Sequence, residues 1–334
     1  MFGFLDAWLN VGIWVGIILI IIGFIGLIKG ADWLVDGASA IAKRFGISDL
    51  VIGLTVVAFG TSMPEFVVNM ISVAHGSTDL AITNILGSNI INTFVILGLT
   101  AAIYPIATQA RTRNFDIPMS ILAGGIVVAC IFLRPLINGE EKGIDYIGGI
   151  VLLLIFVYFL INTFLHAKHN PDDPGVDEVE IKQISPVKSI VLILIGLAGL
   201  VIGGELIVKS AVNIAMRLGV SEAIIGLTIV ALGTSLPELA TSVIAAYKHN
   251  ADIAVGNVFG SNIFNVFFVL GTSAVVNPLP AYDGIEIDAC MAALGGVITW
   301  LVIKANHDRK VTRWGGILLL LVYSGYLTYR LMSV

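Results

Sequence analysis

The fold is decided by two stretches of nearly the same sequence, VIGLTVVAFGTSMPEF from Val51 and IIGLTIVALGTSLPEL from Ile224. Each is followed by a second matching stretch, NILGSNIINTFVILG from Asn84 and NVFGSNIFNVFFVLG from Asn257. The spacing is 173 residues in both cases, and the two regions share 24 identities in 51 ungapped positions. Self-similarity at one fixed spacing indicates an internal duplication, so we expect the chain to consist of two related halves.

The composition of the chain is that of a protein embedded in a membrane. Of its 334 residues, 57% are hydrophobic and only 12% are charged, whereas about a quarter of the residues in a soluble domain are charged. Charged residues are absent from Ala7 to Ile28, from Leu80 to Ala110 and from Ile253 to Tyr282. A helix crosses a bilayer with about 20 apolar residues. The expected fold class is therefore an all-α polytopic membrane protein.

The apolar segments predict ten transmembrane helices, five in each half. Because five is odd, the second half enters the membrane with opposite polarity, as in the inverted repeats of many secondary transporters. We expect residues 1–165 to form the first five-helix repeat, 166–187 a cytoplasmic linker, and 188–334 the second, inverted repeat. The predicted spans are 11–29, 49–74, 79–105, 116–135, 144–165, 186–209, 221–246, 251–276, 285–304 and 313–331.

The distribution of Lys and Arg predicts how the chain lies in the inner (plasma) membrane. With the amino terminus outside, 13 of these residues fall on the inner side, Lys29 among them, and 5 on the outer side. Because Lys and Arg favour cytoplasmic loops, both termini are predicted to be non-cytoplasmic. The linker has an acidic run from Asp172 to Glu180. We interpret this run as a solvated segment, with a weak Ca2+ sensor as the alternative.

Two carboxylates occupy equivalent positions inside apolar spans, Glu65 and Glu238, each at the end of a GTSxPE segment. A charge at the bilayer centre costs at least about 2.5 kcal/mol, so it needs a partner or a function. A single Glu could simply face a polar seam, but two in identical settings favour a transported cation as the counter-charge. Asp32 and Glu205 also match each other. This second pair fits either of two locations, an ion entrance or the membrane interface.

The residues around each Glu offer further oxygen atoms. The proline of each GTSxPE segment has no N–H, so it should break the span and release backbone carbonyls just before it. The next span of each half carries GSNxxN, which places Ser88 and Asn92, and likewise Ser261 and Asn265, on one helical face. All of these are hard oxygen ligands. Such a set suits Ca2+, which takes roughly six to eight oxygens, and disfavours zinc, copper and iron.

At these motifs the chain resembles the cation/Ca2+ antiporter superfamily, and specifically its prokaryotic sodium/calcium exchanger branch. The paired GTSxPE and GSNxxN segments match the two α-repeats of that family at 51–101 and 224–274. The resemblance implies ten helices in two inverted halves. Spans two, three, seven and eight would surround the ions, and spans one and six would be long tilted gates that slide past this core.

The resemblance also implies which residues hold the ions. Two glutamate carboxylates and two threonine carbonyls would hold Ca2+, alanine carbonyls and serine hydroxyls would form Na+ subsites, and two asparagines would complete the centre. The carboxylates are those of Glu65 and Glu238, and the threonine carbonyls are those of Thr61 and Thr234. The alanine carbonyls are those of Ala58 and Ala231, the serines are Ser62, Ser235, Ser88 and Ser261, and the asparagines are Asn92 and Asn265.

The expected function is a secondary antiporter that exchanges Ca2+ for Na+ by alternating access. The related cation/proton branch carries a glutamate where this chain has Asn92 and Asn265, which favours Na+ over H+ as the driving ion. Some family members have Asp at the position of Asn265, and Asn makes the centre symmetric in charge. The transported ions and the lipid bilayer are the expected partners. We expect no cofactor, no nucleic acid and no obligate protein partner.

Three alternatives belong to other classes of function. A Ca2+/H+ antiporter would use protonation of the same glutamates, because burial raises the pKa of a carboxyl group. A cation channel would conduct without a counter-ion. A membrane-embedded enzyme is disfavoured, because the sequence has no nucleophile–base pair and no HExxH element.

Overall fold

The computed structural model describes residues 12–133, 142–169, 184–219, 231–282 and 284–333. Eight of the described helices are long and apolar enough to cross a membrane, and a pair of helices bent by 45° makes a ninth. The protein is therefore a polytopic membrane protein, as its composition predicts.

The described part of the chain contains twelve helices and four two-residue strands, numbered in chain order. The helices of the first half are α1 (Ile13–Phe45), α2 (Asp49–Thr61), α3 (Met63–Ala74), α4 (Thr78–Ile103), α5 (Thr112–Phe132) and α6 (Tyr146–His169). Those of the second half are α7 (Pro186–Arg217), α8 (Ala231–Gly233), α9 (Leu236–Tyr247), α10 (Ala251–Val276), α11 (Ile285–Ala305) and α12 (Arg313–Ser333). The strands are β1 (Ile106–Ala107), β2 (Gly143–Ile144), β3 (Leu279–Pro280) and β4 (Lys310–Val311).

The first and sixth predicted spans are longer in the structure than in the prediction. α1 has 33 residues, which makes it about 50 Å long. It continues through Lys29, so the placement of this residue in an inner loop is wrong. The helix can include both charges, because Lys29 is exposed on its surface and Asp32 forms an ion pair with Lys248. α1 ends at Gly46, whose φ of 62° lies in the left-handed region that glycine adopts without steric cost.

Some sequence predictions fall outside the described residues. The seventh predicted span is described only from Ala231 onward, so the count of ten transmembrane helices stays a prediction. Two of the basic residues counted for the orientation, Arg134 and Lys182, and the acidic run of the linker also lie outside the described ranges.

Glycines let α1 and α7 pack with their backbones in contact. A Cβ atom on Gly23 would lie 2.7 Å from the carbonyl oxygen of Gly203, and one on Gly30 would lie 2.7 Å from that of Gly196. Residue numbers rise along α1 as they fall along α7, so the two helices run antiparallel. Gly196 and Gly203 are the 173-residue counterparts of Gly23 and Gly30. The two contacts are therefore the same contact with the halves exchanged. Small residues at such a seam allow close packing where lipid provides no hydrophobic driving force.

The centre of the molecule is formed by the helices that carry the repeated motifs. α4 and α10 are buried along most of their length, whereas α6 and α12 expose apolar side chains such as Leu154, Phe164 and Leu321. Exposed apolar surface of this extent is expected where a helix faces lipid. The motif-bearing spans are thus shielded by an outer layer of apolar helices.

Ion pairs join α1 to the second half at one end of the molecule. Lys248, directly after α9, places its Nζ atom 2.6 Å from a carboxylate oxygen of both Asp32 and Asp36. Glu205 is the counterpart of Asp32, and it pairs with Lys209 of its own helix at 3.0 Å. Asp32 and Glu205 therefore both form ion pairs, but only Asp32 links the two halves through its pair. The described structure is not symmetric in this respect.

Two short antiparallel strand pairs depart from the all-α prediction. In the pair of β1 and β4, Ile106 lies opposite Val311, and in the pair of β2 and β3, Ile144 lies opposite Leu279. Each pair joins a loop of the first half to a loop of the second. A two-residue strand is too short to leave an alternating pattern in the sequence, so these pairs could not be predicted.

Substitution of Gly30 tests the packing of α1 against α7. Gly30→Val places side-chain atoms against the backbone of Gly196, and overpacking of this kind costs about 1–3 kcal/mol. We expect the thermal unfolding midpoint in detergent to fall by several degrees. Gly125→Val is the matched control, because a Cβ atom on Gly125 of α5 meets nothing within 4 Å. Equal midpoints for the two variants would contradict the proposed seam.

Candidate ion-binding site

Both glutamates lie directly after a break in their span. α2 and α3 meet at 45°, and Ser62 between them has φ −86° and ψ 5°. The equivalent break separates α8 from α9, where Ser235 has φ −88° and ψ 5°. A proline near the start of α3 and of α9 lacks the N–H that would continue the helical ladder. Glu65 and Glu238 therefore lie in the first turn of a helix, where the helix dipole favours negative charge.

Both carboxylates are completely buried, at 0% exposure. Ser62 Oγ donates a hydrogen bond of 2.8 Å to Glu238 Oε1, which links the first half to the second. Among the described residues, Glu238 Oε2 and both carboxylate oxygens of Glu65 have no hydrogen-bond partner. Because Ser62 lies three residues before Glu65, this bond places the two carboxylates in one buried cluster, where like charges repel each other. A cation bound beside them would offset both the repulsion and the missing partners.

The hydroxyl groups around the carboxylates follow the repeat. Each carboxylate is faced by the threonine of the opposite GTSxPE segment and by the serine of the GSNxxN segment in its own half. These residues are Thr234 and Ser88 for Glu65, and Thr61 and Ser261 for Glu238.

Most of these hydroxyls have no hydrogen-bond partner. Within the described ranges, this holds for Thr234, Ser88 and Ser261, and for the buried hydroxyl of Ser235. Buried polar atoms of this kind cost about 1–3 kcal/mol each. Their concentration around two carboxylates indicates a site that binds something polar.

The two predicted asparagines lie in π-helical turns, which occur frequently at functional sites. Asn92 lies within Ile91–Ile96 of α4, and Asn265 lies within Phe264–Leu270 of α10. Asn265 Nδ2 donates a hydrogen bond of 3.1 Å to Asn89 Oδ1. In the described part of the molecule, Asn265 Oδ1 and both polar side-chain atoms of Asn92 have no hydrogen-bond partner. Each half thus contributes a buried amide oxygen.

The other asparagine of each GSNxxN segment joins the central helices. Asn89 Nδ2 donates to the carbonyl oxygen of Asn262 at 3.1 Å, and Asn262 Nδ2 donates to Thr93 Oγ1 at 2.7 Å. These bonds cross between α4 and α10. Interhelical hydrogen bonds of this type hold membrane helices together, so Asn89 and Asn262 have a structural role.

The alanine carbonyls are also predicted ligands. Ala58 O accepts hydrogen bonds from Ser62 N at 3.0 Å and from Thr61 Oγ1 at 3.3 Å. The helical turn therefore continues to Ser62, so the Ala58 carbonyl is hydrogen-bonded within the helix in this conformation, and its use by an ion stays a prediction. Ala231 is the first described residue of its span, and its carbonyl stays a predicted ligand.

The candidate ligands among the described residues of the site are oxygen atoms. In the ranges that the structure describes, no group of three or more His, Cys, Asp or Glu side chains could hold a metal ion. Two carboxylates with hydroxyl and amide oxygens suit a hard cation that tolerates variable oxygen geometry. The arrangement can neutralise about two positive charges in a completely buried setting.

One buried residue next to the site was not selected from the sequence. Asn257 Oδ1 accepts a hydrogen bond of 3.0 Å from Thr61 Oγ1, and its Nδ2 donates to the carbonyl oxygen of Glu238 at 3.2 Å. The available signal was its identity with Asn84 at the 173-residue spacing. That identity alone does not show which helix the side chain faces.

The family of the protein follows from its similarity to known proteins. The family profile described as sodium/calcium exchanger protein matches residues 15–165 and 188–332. The chain belongs to the sodium/calcium exchanger family. Members of this family are membrane transporters, so this protein is a transporter and not an enzyme.

Similar proteins cover nearly the whole chain. CaxA of Alkalimonas amylolytica is 37% identical over 319 residues, which cover 93% of this chain and 97% of that protein. The sodium/calcium exchanger MaX1 of Methanosarcina acetivorans is 29% identical over 342 residues, with 94% and 97% covered. The inner membrane protein YrbG of Escherichia coli is 33% identical over 267 residues, with 78% and 79% covered.

A solved structure shares the fold. The sodium-calcium exchanger NCX_Mj, soaked with zero Na+ and Ca2+, superposes with a TM-score of 0.80 at 34% sequence identity. The match covers 94% of this chain and 98% of that chain. The protein therefore has the NCX_Mj fold.

Binding of a divalent cation can be tested without transport. Ca2+ should raise the thermal unfolding midpoint of the detergent-solubilised protein, because a ligand at 100 times its Kd stabilises the folded state by about 2.7 kcal/mol. Glu65→Gln should abolish most of this shift by removing one carboxylate charge. Asp79→Asn is the control, because Asp79 is exposed at the start of α4. A Ca2+ shift that survives in Glu65→Gln would place the cation elsewhere.

Proposed function

We propose that the protein is a secondary active antiporter that exchanges Ca2+ for Na+ at the site of Glu65 and Glu238. The observation that carries the proposal is the burial of two carboxylates from related halves among oxygen atoms with no hydrogen-bond partner in the described residues. A buried pair of like charges is stable only when it is neutralised. We therefore expect the conformational change to occur when cations are bound at the site and to be unfavourable when the site is empty.

The charge of the site accounts for exchange. Two carboxylates are balanced by one Ca2+, or by two or three Na+ in separate subsites. Because both ion sets need the same carboxylates, binding of one set excludes the other. We propose that Ca2+ uses Glu65, Glu238 and the backbone carbonyls of Thr61 and Thr234. The proposed Na+ subsites use Ser62, Ser235, Ser88 and Ser261 with the carbonyls of Ala58 and Ala231, and Asn92 and Asn265 complete the centre.

The choice of Na+ as the driving ion rests on the amide positions and on the relatives. Asn92 and Asn265 contribute neutral amides at positions where a further titratable carboxylate would favour proton exchange. MaX1 is named as a sodium/calcium exchanger, and NCX_Mj is described as a sodium-calcium exchanger. Ca2+/H+ exchange at the same two glutamates is the alternative that the transport experiment separates.

The proposed architecture has ten transmembrane helices in two inverted repeats, 1–165 and 188–334, joined by a cytoplasmic linker at 166–187. Both termini are then non-cytoplasmic in the inner membrane. The exchangeable contacts between α1 and α7 support this symmetry. In alternating access, this pair moves against the core that carries the ions. Lys248 then holds α1 at the cytoplasmic end in the conformation described here.

Transport of Ca2+ against a Na+ gradient tests the function directly. Na+-loaded proteoliposomes diluted into Na+-free buffer should accumulate radiolabelled Ca2+. The Glu65→Gln variant should lower the initial rate by about 100-fold or more, because the site can no longer be neutralised by one Ca2+. Asp79→Asn should transport at nearly the wild-type rate.

The outcomes separate the alternatives. Uptake that ignores Na+ and follows an imposed pH gradient would assign Ca2+/H+ exchange. Uptake that requires no counter-ion would indicate a channel, and uptake unchanged by Glu65→Gln would disprove the proposed site.

A further inference from the structure

Asn257 contacts the GTSxPE segments of both halves through one side chain. It lies on α10, one helical turn before Ser261, and it is completely buried. Its Oδ1 accepts from Thr61 Oγ1 at 3.0 Å, and its Nδ2 donates to Ser242 Oγ at 2.9 Å and to the carbonyl oxygen of Glu238 at 3.2 Å. Both N–H groups of the amide and its oxygen are thereby used. The amide orientation is fixed by these three bonds.

We propose that Asn257 is the positioning residue that sets the distance between the ion-binding segments of the two halves. The inference rests on the proposed function, since it concerns the same site. Asn257 contacts a predicted ligand residue in the first half, Thr61, and the first turn of the helix that carries Glu238 in the second. It acts through these two residues. Binding geometry is sensitive to such support, because a displacement of about 1 Å can change rates by about 100-fold.

The equivalent residue of the first half has different partners. Asn84 Nδ2 donates to Asn69 Oδ1 at 2.9 Å, and Asn69 Nδ2 donates to the carbonyl oxygen of Ala81 at 3.0 Å. These two bonds stay within the first half, and Asn69 Nδ2 also donates a longer bond of 3.5 Å to Ser273 Oγ of the second half. Thr234 is the counterpart of Thr61, and its hydroxyl has no hydrogen-bond partner among the described residues. Among the described residues, the hydrogen bond between asparagine and threonine is therefore present for Asn257 and Thr61 and absent for Asn84 and Thr234.

A sequence difference between the halves accounts for this asymmetry. The repeat places Asn69 where the second half has Ser242. The short serine accepts one N–H of Asn257 and leaves the amide oxygen for Thr61. The longer Asn69 meets the amide of Asn84 within its own half. Because Asn69 and Ser242 differ, a conformational change in which the two halves exchange shapes would not give Asn84 the contacts of Asn257.

The proposal predicts a change in apparent ion affinity and not only in the amount of folded protein. In proteoliposomes with the full-length protein, Asn257→Ala and Asn257→Leu should raise the KM for Ca2+ about tenfold. Asn84→Ala and Asn84→Leu are the matched controls, and their KM should stay within about twofold of the wild-type value. A purely structural role would lower the maximal rate, through loss of folded protein, with the KM unchanged.

A double-mutant cycle with Thr61→Val tests whether Asn257 acts through Thr61. Thr61→Val removes the hydroxyl that donates to Asn257 and should itself raise the KM. The Asn257→Ala/Thr61→Val double variant should have a KM no higher than that of the more impaired single variant, because both changes break the same contact. Effects of Asn84→Ala and Thr61→Val should instead multiply.

Several results would overturn the assignment. These are a wild-type KM in both Asn257 variants, an equal increase in the Asn84 variants, and multiplicative effects in the Asn257 cycle. Failure of both Asn257 variants to fold while both Asn84 variants fold would show that the role is structural. If the wild-type protein moves no Ca2+ in exchange for Na+, the proposed function fails, and the Ca2+-induced thermal shift of the same variants then decides the role of Asn257. If the wild-type protein also shows no Ca2+-induced thermal shift, both the proposed function and the role of Asn257 are overturned.

Discussion

The structure depends on one electrostatic constraint: two carboxylates, Glu65 and Glu238, are completely buried in one cluster that the Ser62–Glu238 hydrogen bond joins. Each charge loses its hydration, and each raises the energy of the other. Side chains with fixed positive charge could neutralise the pair permanently, but the side-chain hydrogen bond recorded at these carboxylates among the described residues comes from the hydroxyl of Ser62. Hydroxyls and amides can stabilise a carboxylate and can also bind a cation. The site is thus partly stabilised without being permanently neutralised.

The fold meets this constraint with backbone as well as side chains. The break at Ser62 and the break at Ser235 each create a helix start inside the protein, so the carboxylate lies near unsatisfied N–H groups and the positive end of a helix dipole. Irregular backbone is tolerated at membrane depth only when protein covers it or it lines a cavity. The surrounding apolar helices provide this cover, and the glycine seam of α1 and α7 lets two long helices pack closely beside the core.

Features that repeat could be predicted from the sequence, whereas features that arise from contacts between distant segments could not. The duplication, the breaks before Glu65 and Glu238 and the hydroxyl positions follow from local chemistry, and the structure brings these groups together. The apolar run of span one ends at Lys29, but the structure continues α1 beyond it and pairs Asp32 with Lys248, more than 200 residues away. The role of the Ala58 carbonyl came from the resemblance, and in this conformation that carbonyl is hydrogen-bonded within the helical turn. The role of Asn257 depends on which residues its helix faces.

Differences between the halves matter because the motifs themselves are nearly identical. Lys248 of the second half corresponds to His75 of the first, and Asp36 corresponds to Lys209. The inter-half ion pairs of Lys248 therefore have no equivalent with the same charges at the other end. Under alternating access by exchange of shapes, a fully symmetric protein would have two states of equal free energy. Each unmatched contact removes that equality, and a difference of about 1.4 kcal/mol makes one state tenfold more populated. The residues that differ between the repeats are thus expected to set which side the unloaded carrier faces, while the residues that match set which ions it carries.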